Sequence, residues 1–258
     1  MAMNLRNTIF FCLSMLIQLS LHAQGLKEMR SEHFIINYSE GTEDSVYKIK
    51  DDAEYYYRSI TQEFGFVRDK LWSWDNRAKI VIAKDKSTYS KEFNCPTWSG
   101  ACVDYYNKII YTYPLQSGFS SVLSHELTHI IFREYIGYNK LPLWLDEGMA
   151  QYMQYRDSSQ PKAITALMKK LIEENKYIKF EQVNNIYSIS EKDEPDLFYA
   201  QAFSMVYFLK ERYGKDNFAQ FLSYLRSNNN LAEALSKAFR TLENSEKFEA
   251  EWKRFYSI

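Results

Sequence analysis

Ser124-His125-Glu126-Leu127-Thr128-His129 lies inside a run, residues 119–135, whose apolar positions recur at helical spacing. Four residues of helix advance about 400°, so His125 and His129 stand about 40° apart on one face, one turn apart along the axis. Two imidazoles placed in this way can reach a single metal ion. Glu126, three residues before His129, falls beside the same face, close enough to address a water on that ion without ligating it. Leu123, Leu127, Ile130 and Ile131 are apolar on the side away from the histidines, as a packed helix with one functional face requires. The alternative for the pair is two satisfied core histidines. Beyond residue 23 the only other histidine is His33, in a strand-like run, where it reads as an ordinary packed or surface residue.

This helix divides the chain. Upstream, residues 33–38 (HFIINY) and 79–83 (KIVIA) are short β-branched runs that read as strands. Between them, residues 43–64 carry Val46, Ile49, Ala53, Tyr57, Ile60 and Phe64 at helical spacing, giving a β-α-β start. Residues 101–105 and 109–113 read as two further strands turning at Tyr106-Asn107-Lys108. From Ser117 onward helical patterns follow almost without break: 119–135, 143–155, 163–174, 196–213, 217–226, 231–239 and 245–256. The fold class is α+β, a small mixed sheet lobe (24–115) followed by a mainly helical lobe (116–258).

Composition agrees. The chain has 258 residues with eight glycines, five prolines, 46% apolar and 17% aromatic residues, which excludes collagen, disorder and low-complexity assembly. So few turn residues disfavour a barrel or sandwich. With 32 basic and 33 acidic side chains the formal charge is −1, so nothing in it draws the chain to nucleic acid or to an anionic membrane.

At the N-terminus, Arg6 precedes an uncharged apolar run of thirteen residues, 9–21. A permanent span needs roughly 20, so residues 1–23 read as a signal peptide cut after Ala23, with Cys12 as apolar filler. The remainder is then exported, periplasmic or extracellular, with no stable transmembrane span; an uncleaved anchor would leave it in the same compartment. There Cys95 and Cys102, with six residues between them, have two open readings, a disulfide or two thiols. The clusters Tyr55-Tyr56-Tyr57 and Trp72-x-Trp74 read as core and rim packing before ligand platforms, and the acidic stretch from Glu191 to Asp196 as a solvated loop entering a helix.

Two histidines leave a catalytic metal one ligand short of the usual three. Leu143-Trp144-Leu145-Asp146-Glu147-Gly148-Met149-Ala150 opens the next helix just after Pro142 and carries two carboxylates near its start. Glu147 is the choice over Asp146. From the residues alone, ligation and helix capping are equally open for it, since acidic side chains suit a first turn in any case.

The pairing of H-E-L-T-H with W-L-D-E-G-M-A resembles the gluzincin metallopeptidases, a group that includes aminopeptidase N-like enzymes and smaller peptidase MA-like proteins. The smaller proteins are the nearer match, extending to Leu141-Pro142-Leu143-Trp144 and more weakly to Tyr199-Ala200-Gln201-Ala202 and Tyr213-Gly214. The resemblance covers roughly residues 100 to 214. It implies a zincin-like fold and one zinc ion held by His125, His129 and Glu147. It also makes Glu126 the general base and Tyr199 a donor to the oxyanion, in an enzyme that hydrolyses peptide or protein substrates. The chain lacks the G-x-M-E-N segment with which aminopeptidases of this clan hold a free amine. That argues against an aminopeptidase and leaves an endopeptidase or an unusual specificity; with the N-terminal signal, the reading is an exported, endopeptidase-like zinc metallopeptidase, with residues 100–104 as an edge strand able to hold an extended peptide. The alternative is an exported zinc-binding pseudo-peptidase that acts as a binding or scaffolding protein.

Overall fold

The computed structural model describes residues 25–66, 72–95, 97, 99–114, 118–137, 141–188 and 195–257. The expected signal peptide and most of the acidic stretch from Glu191 lie outside these. The described residues form two compact units, one from 25–54 and 72–114, the other from 55–66 and 118–257. Residues 55–66, part of the sheet lobe in the sequence reading, cluster with the helices.

In the first unit five strands, β1 (Lys27–Arg30), β2 (Phe34–Tyr38), β3 (Ala78–Ile82), β4 (Ala101–Asp104) and β5 (Ile109–Thr112), form one mixed sheet in the order β1-β2-β3-β5-β4. The inner pairs β2–β3 and β3–β5 are parallel, with Ile36 opposite Ile80 and Ile80 opposite Ile110; the outer pairs are antiparallel. β3, central and apolar on both faces, is buried at Ile80, Val81 and Ile82, as expected of a strand covered on two sides. β4 is an edge, as the sequence reading expects of residues 100–104. β1 was missing from that reading because KEMR has neither apolar alternation nor β-branched residues, and its pairing with β2 supplies what its composition does not.

Helix α1 (Glu43–Phe64) has the span its periodicity predicts, and all six apolar positions named for it are buried. Its residue Glu54 belongs to the first unit, where the carboxylate accepts from the Ser31 hydroxyl (2.6 Å), the His33 N–H (2.9 Å) and the His33 ring (2.7 Å). A short helix, α2 (Lys86–Glu92), follows β3; Asp85 caps it by accepting from the Thr88 N–H at 2.8 Å. Cys95 and Cys102 are joined in a disulfide, closing the loop onto β4. Trp72 is fully buried and edge-on to Phe34, whereas Trp74 is exposed.

The second unit is helical: α3 (Phe119–Ile136), α4 (Leu143–Tyr155), α5 (Gln160–Glu173), α6 (Phe180–Val183), α7 (Pro195–Asn228), α8 (Leu231–Ala238) and α9 (Ser245–Ser257). Gly137, at φ +83°, ends α3. Gly214, also at φ +83°, breaks α7 where the sequence reading separates two helices.

Three arrangements hold α4 in place. First, its Gly148 lies against α7: a Cβ there would collide with the Ala202 carbonyl oxygen and come within 2.7 Å of Val206 Cγ2. Second, Trp144 is fully buried, donates to Asn184 Oδ1 at 3.2 Å, and is flanked by Phe180 and by Phe248 of α9, which stack on each other at 3.9 Å. Third, the Lys210 ammonium of α7 pairs with Glu63 at 2.5 Å and sits about equally near the rings of Phe64, Tyr152 and Phe218. Glu63 also accepts from the Tyr152 hydroxyl, tying the end of α1 to α4. A buried cation that is both paired and faced by aromatic rings is compensated for leaving water.

Replacing an interior helical glycine by alanine ordinarily stabilises a helix by roughly 1 kcal/mol. Gly148→Ala should do the reverse, lowering stability by about 1–3 kcal/mol through the collision with α7, read as an earlier urea unfolding midpoint with an unchanged slope.

Candidate metal centre

Helix α3 places His125 and His129 one turn apart, and α4 brings Glu147, the residue just after its first turn, to them. The two Nε2 atoms are 3.2 Å apart, and each is 3.6 Å from Glu147 Oε2. A tetrahedral zinc with ligand bonds of 2.0–2.1 Å sets its donors about 3.3 Å apart. The three atoms therefore outline one face of such a site, and two nitrogens with one carboxylate oxygen suit the ion chemically. The residues fit the metal.

Each imidazole is held from behind. Gln154, on the last turn of α4, faces His125 Nδ1 with its carbonyl oxygen at 3.0 Å. An amide oxygen only accepts, so Nδ1 carries the hydrogen and the Nε2 lone pair points to the shared centre. His129 Nδ1 meets Asp146 Oδ1 at 2.9 Å, and the other oxygen of Asp146 accepts from Arg133 Nε at 2.9 Å and from its terminal nitrogen at 2.5 Å. Such outer partners fix tautomer and ring orientation in metal sites.

The electrostatics favour a cation between the rings. Burial and the neighbouring His129 push the His125 pKa down to about 4. Burial also opposes charge on His129, but Asp146 and Glu147 outweigh it and hold its pKa well above the ordinary value. Burial raises Asp146 and Glu147, yet the adjacent imidazoles bring both below their ordinary values, Asp146 to about 2 with Arg133 contributing. Glu126, by contrast, is pushed up to about 7: burial leads, and Glu147 and Asp146 add to it against the pull of His129. A carboxyl so placed is tuned for proton transfer near neutrality. The Tyr199 hydroxyl, on the second turn of α7, is raised by burial and by Glu147 and lowered by His129, so the fields of the cluster reach it.

His125, His129 and Glu147 are therefore brought together as the sequence reading expects, with Glu126 and Tyr199 in electrostatic reach. A second group, Glu32, His33 and Glu54, also has donor atoms within 4.8 Å of one another. There the Glu54 carboxylate already accepts three hydrogen bonds, which gives it a structural task. Sequence reasoning missed Arg133, Gln154 and the role of Asp146. Arg133 did carry a signal: it is four residues after His129, on the same stripe of α3.

The model of one protein family matches residues 86–257, two thirds of the chain, and spans both motifs. The chain belongs to the Peptidase MA superfamily. In keeping with that membership, it is similar to yeast LTA4 hydrolase in complex with bestatin (14% identity, TM-score 0.54, covering 87% of this chain and 38% of that one). It is equally similar to native yeast LTA4 hydrolase (13% identity, TM-score 0.54, covering 89% and 38%). At such identity the likeness is one of fold, and this member of the superfamily spans less than two fifths of those enzymes. No curated protein sequence matches it. The family and the fold bear out the resemblance read from H-E-L-T-H and W-L-D-E-G-M-A: this is a metallopeptidase-like protein with a zincin-like α+β fold.

Metal analysis of the purified chain should find one zinc ion per molecule, with His125→Ala and Glu147→Ala each losing it while keeping the helical circular-dichroism signal.

Proposed function

We propose that the chain is an exported zinc-dependent metallopeptidase that hydrolyses internal peptide bonds. The observation that supports this reading most is the convergence of His125 Nε2, His129 Nε2 and Glu147 Oε2 within 3.2–3.6 Å, with a carboxyl tuned to about 7 beside them. Zinc, when bound by these three residues, polarises a carbonyl and activates water.

The remaining work falls to the chain. Glu126 takes the proton of the attacking water and passes it to the leaving amine; burial already raises this carboxyl above the ordinary range of its kind, toward the basicity that such a relay requires. The Tyr199 hydroxyl, which the field of the cluster reaches, donates to the oxygen on which negative charge develops. Gln154 and Asp146 keep both imidazoles turned toward the ion. The lack of a G-x-M-E-N segment supports endopeptidase action over removal of N-terminal residues.

Export rests on the N-terminal run of residues 9–21. Among the described residues no helix is long and apolar enough to cross a membrane. A peptide or protein substrate outside the cytosol is the partner this reading requires, and the near-neutral charge supports no role with nucleic acid.

Glu126→Gln should lower kcat on a fluorogenic peptide library by about 10²–10⁴-fold while the zinc content stays at one per chain. Equal inactivity of the wild-type protein and this variant would instead favour the pseudo-peptidase. Tyr199→Phe should lower kcat by about 10²-fold with KM little changed; an unchanged kcat would remove Tyr199 from the reaction.

A further inference from the structure

We propose that Arg133 is a positioning residue of the metal centre, acting through Asp146 on His129; this rests on the reading of His125, His129 and Glu147 as metal ligands. His125, His129 and Arg133 recur every four residues and so form one stripe along α3. The stripe faces the first turn of α4, where Asp146 bridges its last two members.

The geometry divides the Asp146 carboxylate between two tasks. Both guanidinium donors converge on Oδ2, at 2.9 and 2.5 Å, which leaves Oδ1 for the imidazole at 2.9 Å. Held at one oxygen only, a carboxylate can swing about its χ2 torsion, which is broad and soft. With both oxygens engaged its plane is fixed, and with it the direction in which His129 Nδ1–H must point. The opposite nitrogen, Nε2, is then aimed at the shared centre.

The two histidines differ in this respect. His125 is steadied by a neutral amide, Gln154, whereas His129 is steadied by a buried carboxylate. The Asp146 side chain is only 5% exposed, and a carboxylate that far from water needs charged or multiple partners. Arg133 supplies a fixed charge and two donors in a planar fork, a geometry that lysine does not reproduce. Asp146 also directly precedes Glu147, so the same grip pins the turn that carries the third ligand.

The test measures Zn²⁺ affinity of the full chain by competition with a chromophoric chelator, together with the visible spectrum of the Co²⁺-substituted protein and melting of the metal-free form. Arg133→Met should weaken Zn²⁺ binding by about 10–100-fold and alter the cobalt bands, with Arg133→Lys falling between it and wild type. In an Asp146→Ala background the further change Arg133→Met should cost less than about threefold, because the link it acts through is already gone. Zn²⁺ affinity of Arg133→Met within about threefold of wild type, or losses that simply multiply in the double variant, would overturn the proposal. If Arg133→Met does not fold, Arg133→Lys decides: weaker Zn²⁺ binding with an unchanged metal-free melt supports the role, and unchanged binding overturns it. A wild-type chain without Zn²⁺ affinity would overturn the metal-site reading as well, whereas normal wild-type binding with indifferent variants overturns the role of Arg133 alone.

Discussion

The approach of α4 to α3 is the constraint on which the site depends. It sets Glu147 Oε2 3.6 Å from two imidazole nitrogens that are themselves 3.2 Å apart. Donor atoms crowded in this way repel one another unless positive charge lies among them, so folding must hold them together against that repulsion. Much of the means is apolar and lies behind the site. Gly148 lets α4 sit against the backbone of α7, and Trp144 is walled by Phe180 and Phe248. The polar face of α4 is thus free to carry function because its other face is fixed by packing.

A second theme is the pairing of charge in the helical unit. The positive side chains Arg133 and Lys210 both meet carboxylates with little access to water. Lys210 is buried enough that desolvation lowers its pKa despite Glu63, and three aromatic rings surround it. Such pairs add little net stability over apolar packing of the same volume, but breaking one partner is costly. Their geometric demands fix how α1, α4 and α7 meet, which plain hydrophobic contact would leave freer.

Much of this was legible in the sequence, for reasons that can be named. Periodicity located α1 at its observed limits because it has one uninterrupted buried stripe, and α4 was marked by Pro142 at its start and by an apolar run that is buried on most sides. The spacing of His125, Glu126 and His129 carried its own geometry, since helical rotation alone puts the two rings together. Glu147 was harder: its local context suits a cap as well as a ligand, and only the tertiary approach of two helices distinguishes them. Gln154 and the role of Asp146 were invisible for the same reason, being partners across a helix interface. The strand Lys27–Arg30 and the helix Lys86–Glu92 escaped notice because both are short and polar, held by pairing and capping more than by a buried face.

The wall behind Trp144 has a consequence for how the protein is made. Phe248 belongs to α9, about a hundred residues after the tryptophan it covers. During synthesis the segment that carries Trp144, Asp146 and Glu147 emerges well before this part of its backing, so the indole cannot be fully walled until the residues around Phe248 have followed. The packing that steadies α4 is thereby closed by a contact of long sequence separation, among the slower kinds to form in a folding chain.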